Sequence, residues 1–421
     1  MPVFAAATTP EVPASASGAS ATDAAVDAFY ASRHGAPLWL AQGPASPAAK
    51  QLIDVLQRGQ LDGFAAGPAY ASSAEALLSR AAAGDSASAN QAERLLSVAW
   101  VQYVQTLQRP AAGMTYESTW VEPRMQSAHD ILAIASAAPS LSDHVRKVSD
   151  VNPLYASLRD TAWQQHDAWG SAPDPRVLAS LDQARTLPAR GRYVLVDAAT
   201  QTLSMVEDGR IADTMKVIVG KPGSQTPMIA SVIYAATLNP YWHVPVDLEQ
   251  KLIAPRVLAQ GVGYIKEHRY ELLSSFGPDA QPISPSEVDW KAVAAGKASV
   301  AMRQLPGPAN SMGHMKFAFA NNAGIYLHDS PEKDLFDKDQ RDLSNGCIRL
   351  QDAARLGRWL LGRDPEVASN APEQQVALPK PVPVFVTYLT AHASDGQLTL
   401  ADDIYGRTAG QSSGTEIAAL H

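Results

Sequence analysis

The periodicity of the apolar residues changes at Gly191, and this change limits which architectures the chain can adopt. Before it, "NQAERLLSVAWVQYVQTLQ" carries apolar residues at the spacing of one helix face. These residues are Leu96, Trp100, Tyr103 and Leu107. After it, "RYVLVDAATQTLSMVEDGRIADTMKVIVG" offers three strand-like runs, and Asp208-Gly209 predicts a tight hairpin. The sequence therefore predicts an α+β protein, helical first and mainly β afterwards.

The same patterns predict how the chain is divided. Further strands are expected in "MKFAFA", "GIYLHD" and "VPVFVTYLT", and a helix in "LQDAARLGRWLLG" with Asp352 near its start. The stretch at about 249–300 is too long and irregular for an ordinary connection, so we expect a lid or cap there. The predicted segments are a disordered leader at 1–21, a helical domain at 22–165, a linker at 166–190, a β domain at 191–408 and a flexible tail at 409–421.

Composition excludes several classes of partner. A formal net charge of -8 and a pI near 5.7 argue against sequence-independent binding of nucleic acid or anionic lipid, since binding to either depends on basic patches. No apolar run approaches the roughly 18 residues that a membrane span requires. The opening segment lacks a basic stretch followed by an apolar one, so it does not resemble a signal peptide.

Cys347 is the only cysteine of the chain and lies in "SNGCIRL". A lone cysteine is more often a small buried side chain than a nucleophile. Here a glycine precedes it, which lets the backbone turn tightly, and we expect the amides of Gly346 and Cys347 to be free to face an oxyanion. A thiol with a pKa of about 8.5 needs a nearby base to attack a carbonyl at neutral pH.

His328 is the strongest candidate for that base, because it ends the strand "GIYLHD" and a polar loop then leads back toward Cys347. His314 precedes a strand instead of ending one, and His243 is no better placed. Asp329 follows His328 directly, and consecutive side chains of an extended segment point to opposite faces. We therefore expect a backbone carbonyl, instead of that carboxylate, to orient the ring.

Arg349 lies two residues after Cys347, on the same side of an extended segment, and can hold a carboxylate in bidentate fashion. A plain surface arginine is the alternative reading. A single cysteine without a close set of histidines or carboxylates lacks the ligand spacing of a metal site. We expect neither a metal nor another cofactor.

Together these motifs resemble a known family. "IYLHDSP" followed by "SNGCIRL" is similar to the catalytic signature of YkuD-type L,D-transpeptidases, which cross-link bacterial peptidoglycan through a cysteine acyl-enzyme. "VIVGKPGSQTPMIASVI", "LNPYWHVP" and "RQLPGPANSMGHMKF" resemble the large Gram-negative branch called YcbB, and "AVDAFYASRHGAPLWL" resembles its scaffold domain. The resemblance extends over about 24–407.

The resemblance implies a role for each matched residue. Cys347 would be the nucleophile and His328 its base, and the stretch at 249–300 would be the family's capping subdomain. The residues implied to shape the oxyanion and substrate site are Ser344, Asn345, Gly346, Arg349, Tyr326 and Trp242. Two departures stand out: Asn345 replaces the histidine usual in the signature, and the peptidoglycan-binding module inserted in YcbB-like proteins is missing.

The implied function is transfer between peptidoglycan stem peptides. The thiol would attack a stem tetrapeptide and expel its terminal D-alanine, and an amine of a second stem peptide would take the acyl group in a 3-3 or a 1-3 link. A water acceptor would make the protein an L,D-carboxypeptidase, and a lipoprotein acceptor an anchoring enzyme. An inactive peptidoglycan-binding scaffold is the alternative from another class. The resemblance implies a periplasmic location, with the signal peptide removed, and inhibition by carbapenems.

Overall fold

The computed structural model describes residues 16–166, 172–365 and 371–408, with side chains from 21 onward. Most of the expected leader, residues 167–171 of the expected linker and the tail at 409–421 lie outside the described residues. The chain divides into two compact units. The first contains the described residues of 1–114, 122–191 and 388–421, and the second contains those of 115–121 and 192–387.

The first unit is helical. Its helices are α1 (Ala16–Ser32), α2 (Pro47–Gln57), α3 (Gly67–Ala82), α4 (Ser86–Leu107), α5 (Ala128–Ala137), α6 (Leu141–Asp150), α7 (Pro153–Gln164) and α8 (Pro175–Ala184). The apolar stripe that predicted a helix lies on α4, where Trp100 and Tyr103 are fully buried in the core. Asp85 caps the start of α4 by accepting the N–H groups of Ala87 and Ser88, which the helix itself leaves without partners.

The helical unit is more extensive than the sequence suggested. Helix α1 begins at Ala16, inside the expected leader, and α8 lies inside the expected linker. The Asp174-Pro175 pair starts α8, because Asp174 accepts the N–H of Arg176 and proline suits the first helical turn. A hairpin of Ala391–Ser394 and Gln397–Leu400, which the sequence analysis placed in the β domain, packs here with Ala391 in the helical core.

The second unit is built on a closed, mixed sheet. Its strands are β1 (Thr115–Tyr116), β2 (Arg192–Asp197), β3 (Thr202–Glu207), β4 (Arg210–Gly220), β5 (Ile229–Leu238), β6 (Trp242–His243), β7 (Tyr270–Leu273), β8 (Ala301–Gln304), β9 (Met315–Phe319), β10 (Tyr326–His328), β11 (Asp342–Ser344), β12 (Ile348–Leu350) and β13 (Gln374–Thr387). Ten of them form one sheet in the order β1-β5-β13-β2-β3-β4-β12-β10-β9, with β11 on β4. Because β9 also pairs with β5, the sheet closes into a barrel.

The expected hairpin joins β3 and β4. Asp208 and Gly209 have φ values of 48° and 75°, and two positive φ angles in a two-residue loop match the twist of the flanking strands. The expected helix after Cys347 is α13 (Ala353–Leu361), and Asp352 caps it by accepting the N–H of Arg355. These elements confirm the predicted α+β class.

Three strands of the second unit form a separate small sheet in the order β6-β8-β7. The helical turns near it are α9 (Val246–Leu248), a π-helical turn at Glu249–Ile253, α10 (Ala254–Gln260), α11 (Gly263–Glu267) and α12 (Trp290–Ala294). One apolar cluster joins these elements and includes residues from Trp242 to Met312. We call 242–312 the cap; it is wider than the 249–300 expected from the sequence, because β6 and β8 supply part of its core.

Candidate active site

The site is built on the neighbouring strands β10 and β12. They pair in parallel, with Leu327 opposite Ile348 and His328 opposite Arg349. Side chains alternate between the two faces of a strand. Leu327, Ile348 and Leu350 are fully buried and occupy the face toward the barrel core. The register of the pair is therefore fixed by apolar packing.

The opposite face of the same two strands carries the polar side chains. The alternation places Tyr326 and His328 of β10 there, together with Arg349 of β12 and Cys347 just before it. The structure thus brings four of the residues singled out in the sequence to one face of two adjacent strands, and the thiol and the imidazole are among them.

The Cys347 thiol is partly exposed, and its Sγ lies 3.8 Å from the carbonyl oxygen of Gly324. The surrounding protein raises the pKa of the thiol by desolvation, while the Tyr326 backbone and the charge of Arg349 act in the opposite direction. Burial is the largest of these effects, so the resting thiol is protonated at neutral pH. Activation therefore requires a base.

The His328 imidazole is 4% exposed, and its Nδ1 lies 2.6 Å from the backbone carbonyl oxygen of Asp329. A carbonyl only accepts, so Nδ1 carries the proton and the lone pair lies on Nε2. Burial, and after it the charge of Arg349, lowers the pKa of His328 to about 4. The ring is therefore neutral at pH 7 and able to accept a proton. Its partner is a backbone carbonyl, as the sequence analysis expected.

The Asp329 carboxylate is occupied elsewhere. Its Oδ2 accepts the backbone N–H of His314 at 3.0 Å, and its Oδ1 accepts the Lys333 ammonium at 2.7 Å. A β-carbon at Gly313 would come within 2.4 Å of Oδ2, so this approach depends on glycine. His314 itself is exposed, and the structure brings only its backbone to the site region.

The turn before Cys347 is held by two hydroxyl groups. Ser344 Oγ donates to the Cys347 carbonyl at 2.6 Å, and Thr226 Oγ1 donates to the Gly346 carbonyl at 2.8 Å. Thr226 also accepts the N–H of Gly220 at 2.9 Å and is fully buried. Sequence reasoning missed Thr226, although it lies in the quoted segment "GKPGSQTP". Gly346 has a φ of 116°, which favours glycine.

One expectation about this turn is wrong. The N–H of Gly346 is not free to face an oxyanion, because it donates to Ser344 Oγ at 3.1 Å. The tight turn that exposes Cys347 also folds this amide back onto the serine. The N–H of Cys347, in contrast, has no hydrogen-bond partner within the described part of the chain. It therefore remains available to donate to an oxyanion.

The other expected site residues are distributed between the barrel and the cap. Arg349 is 23% exposed, and its Nη1 lies 2.5 Å from a carboxylate oxygen of Glu332. Asn345 is exposed. Tyr326 is half-buried and packs against the apolar cluster of the cap, whereas Trp242 lies inside that cluster with its ring 6.2 Å from that of Tyr270. Tyr326 therefore connects the thiol to the cap, and Trp242 contributes to the cap's core.

The described residues, 16–166, 172–365 and 371–408, contain neither a candidate metal site nor a candidate membrane-spanning helix. In these ranges no group of three or more His, Cys, Asp or Glu side chains is arranged to hold a metal ion. The helices described there include none that is long and apolar enough to cross a membrane.

Known families match both parts of the chain. Residues 191–384 match the YkuD family, described as an L,D-transpeptidase catalytic domain, and residues 24–161 match the Scaffold family, described as a scaffold domain. The chain therefore contains a YkuD-type L,D-transpeptidase catalytic domain and, before it, a scaffold domain. This agrees with the family resemblance found in the sequence.

Individual proteins match this chain at low sequence identity. The chain is similar to a putative L,D-transpeptidase of Haemophilus influenzae, with 26% identity over 317 residues that cover 73% of this chain and 64% of that protein. Among solved structures it matches an L,D-transpeptidase from Mycobacterium smegmatis, with 13% identity, 47% of this chain and 58% of that chain covered, and a TM-score of 0.23. It also matches the catalytic domain of the E. faecium enzyme acylated by ertapenem, with 15% identity, 47% and 97% covered, and a TM-score of 0.23.

Proposed function

We propose that this protein is an L,D-transpeptidase that joins peptidoglycan stem peptides through a thioester on Cys347. The register of β10 and β12 is the observation that carries the proposal, because it puts the thiol and a neutral imidazole on one face. The match of residues 191–384 to an L,D-transpeptidase catalytic domain supports it.

The acylation step uses the neutral forms of both groups. Cys347 Sγ attacks the carbonyl that precedes the terminal D-alanine of a donor tetrapeptide, while Nε2 of His328 takes the thiol proton. The oxyanion accepts a hydrogen bond from the N–H of Cys347. The imidazolium then gives its proton to the leaving nitrogen, and D-alanine departs as a free amine. A thioester and a neutral His328 remain.

Deacylation reverses these roles. An amine of the acceptor stem peptide attacks the thioester carbonyl, its proton passes to Nε2 of His328, and the thiolate leaves and recovers that proton. The Arg349 charge favours the thiolate and disfavours the imidazolium. We infer that Arg349 also attracts a substrate carboxylate, in exchange for or alongside Glu332.

The acceptor decides the product. A diaminopimelate amine gives a 3-3 link and an L-alanine amine gives a 1-3 link, whereas water would give an L,D-carboxypeptidase and a lipoprotein an anchoring enzyme. We propose that substrate is recruited by the barrel and the cap. This chemistry acts on the cell wall, and we place the protein in the periplasm.

Mass spectrometry of muropeptides tests the proposal. Purified sacculi incubated with the protein should release D-alanine and gain 3-3 or 1-3 linked dimers, and Cys347→Ala should give neither. Tripeptide products without new dimers would identify a carboxypeptidase instead. Products unchanged from untreated sacculi, or equal products with Cys347→Ala, would contradict the proposal.

A further inference from the structure

A charged pair lies on the same barrel face as the proposed base. Lys316 of β9 is directly opposite His328 of β10 in the antiparallel register, so their side chains share a face. The Lys316 ammonium contacts both carboxylate oxygens of Glu373, at 3.1 and 3.3 Å. Lys316 is 15% exposed and Glu373 is 31% exposed, so solvent and solutes still reach the pair.

Glu373 also contacts the start of the cap. Its Oε1 accepts the backbone N–H of Tyr241 at 2.7 Å, and its own N–H donates to the carbonyl of Asn239 at 2.9 Å. Glu373 has a φ of 54°, a left-handed conformation that a side-chain-bearing residue keeps only when its surroundings enforce it. Burial, then the thiol and then Glu373 raise the pKa of Tyr326. The Glu373 charge therefore reaches the residue that borders Cys347.

The cap contributes a second charged pair. His243, Arg303 and Glu271 lie side by side across β6, β8 and β7. Arg303 contacts the Glu271 carboxylate at 2.7 Å, and its guanidinium lies 4.1 Å from the ring centre of Tyr241. The Nη1 group of Arg303 makes no hydrogen bond to any residue that the structure describes.

The two charged pairs meet at Tyr241, whose backbone N–H donates to Glu373 and whose ring lies under the Arg303 guanidinium. Burial, and after it the charges of Lys316 and Arg303, lowers the pKa of His243, whereas Glu373 acts in the opposite direction. The ring of Phe276, which is 54% exposed, packs edge-on against His243 at 5.0 Å. The charged groups of Lys316, Arg303 and Glu373 thus lie near the exposed rings of His243 and Phe276.

The presence of two cations and two carboxylates favours one kind of ligand. A simple anion would be attracted by the two cations and repelled by the two carboxylates. A simple cation would be attracted by the carboxylates and repelled by the cations. A zwitterion places each of its charges against the opposite one. Glu373 retains acceptor capacity on Oε2, Lys316 retains a third N–H, and Arg303 offers Nη1.

We propose that Lys316, Glu373 and Arg303 form a subsite for a zwitterionic end group of the peptide substrate, an ammonium and a carboxylate on one carbon. Glu373 accepts the ammonium, and Lys316 and Arg303 hold the carboxylate. The subsite rests on the proposed function, since it gives that active site its substrate class. It would bind the free amino-acid end of a diaminopimelate side chain.

Binding to a catalytically silent protein tests the subsite. In Cys347→Ala, titration calorimetry would compare a tripeptide carrying meso-diaminopimelate with the same tripeptide whose side-chain amine is acetylated and carboxyl amidated. Adding Glu373→Gln or Lys316→Met should weaken binding of the first peptide about tenfold, the size expected for one charged hydrogen bond. Binding of the blocked peptide should stay unchanged. Asp213→Asn, which breaks an ion pair with Arg355 of comparable exposure, is the matched control.

Two results would overturn the proposal. Equal losses for both peptides would show that the Lys316–Glu373 pair only braces the start of the cap. Equal affinity of the Cys347→Ala protein for both peptides would show that no such subsite exists, and this comparison needs no variant of the pair. Failure of the proposed function is a separate observation, because cross-linking is measured with Cys347 intact.

Discussion

The two faces of the β10–β12 pair differ completely in what they carry. The core face has Leu327, Ile348 and Leu350, all fully buried, and the other face, which we call the active face, has the Cys347 thiol and the His328 imidazole. Both faces result from the alternation of side chains along the two strands. The apolar face fixes the register, and the register positions the chemistry, because a shift by one residue would turn Cys347 into the core.

The faces also differ in how burial acts. On the core face it stabilises apolar side chains, whereas on the active face it keeps both titratable groups neutral at rest. No preformed thiolate–imidazolium pair is favoured. In the proposed mechanism, charge separates only as the thiol attacks, when the oxyanion accepts a hydrogen bond from the N–H of Cys347.

The largest effect should follow loss of the base on the active face. His328→Ala should lower the acylation rate at pH 7 by a factor of about 100 or more. Hydroxide can replace the base, so part of the rate should return at higher pH. Because burial raises the pKa of Cys347, that return should occur above the ordinary thiol value of about 8.5. Stopped-flow acylation by a chromogenic β-lactam measures it.

The matched control for that experiment is His314→Ala. The His314 side chain is exposed, and only its backbone N–H reaches Asp329. Its rate should stay within about twofold of the wild type, since a surface side chain contributes little. Similar losses in the two variants would contradict the choice of His328.

On the core face, substitution should affect stability more than chemistry. Leu327→Ala should lower the free energy of unfolding by about 2–5 kcal/mol, because it leaves a cavity at a fully buried position. Urea denaturation measures this, with Leu343→Ala, at a side chain 40% exposed, as the control. A stable Leu327→Ala protein with a large loss of acylation would contradict the assignment of stability to the core face and of chemistry to the other face.

A smaller effect is expected from Thr226, which holds the turn before Cys347. Thr226→Val keeps the side-chain volume and removes the hydrogen bonds to Gly346 and Gly220. Acylation should fall about tenfold, the equivalent of one hydrogen bond of positioning. Thr214→Val, at an exposed site on β4, should leave the rate unchanged. A wild-type rate in Thr226→Val would show that Ser344 alone holds the turn.

The smallest effect concerns stability in acid. The folded pKa of His328 is lowered to about 4, so the unfolded chain binds a proton that the folded one does not. The stabilisation is present above the unfolded value of about 6.5 and is lost as pH falls toward 4. Thermal melts at pH 7 and 5 should show a smaller drop in Tm for His328→Ala than for the wild type. Identical drops would mean that His328 does not titrate in this way.

Local patterns predicted much of the site. Period-two alternation identified the strands, Asp208-Gly209 identified the hairpin, and the isolated Cys347 after glycine identified the nucleophile candidate. The backbone partner of His328 followed from the geometry of consecutive residues on a strand. These features depend on neighbours in the chain, which the sequence shows directly.

Features that depend on distant segments were not predictable in the same way. Thr226 donates a hydrogen bond to Gly346, which lies 120 residues later in the sequence, and no local pattern predicts that contact. The engagement of the Gly346 amide depends on how the turn closes, and the cap's core depends on pairing between β6 and β8. Helix α8 is different, because the sequence shows its Asp174-Pro175 start directly, and the prediction of a linker there is wrong.

Intact-mass spectrometry of the protein with a carbapenem tests the central claim that Cys347 is the nucleophile. The β-lactam carbonyl stands in for the donor amide, so the account predicts one adduct per chain, mapped to the peptide that contains Cys347 and absent from Cys347→Ala. A wild-type protein that stays unmodified, or an adduct that persists in Cys347→Ala, would contradict the account.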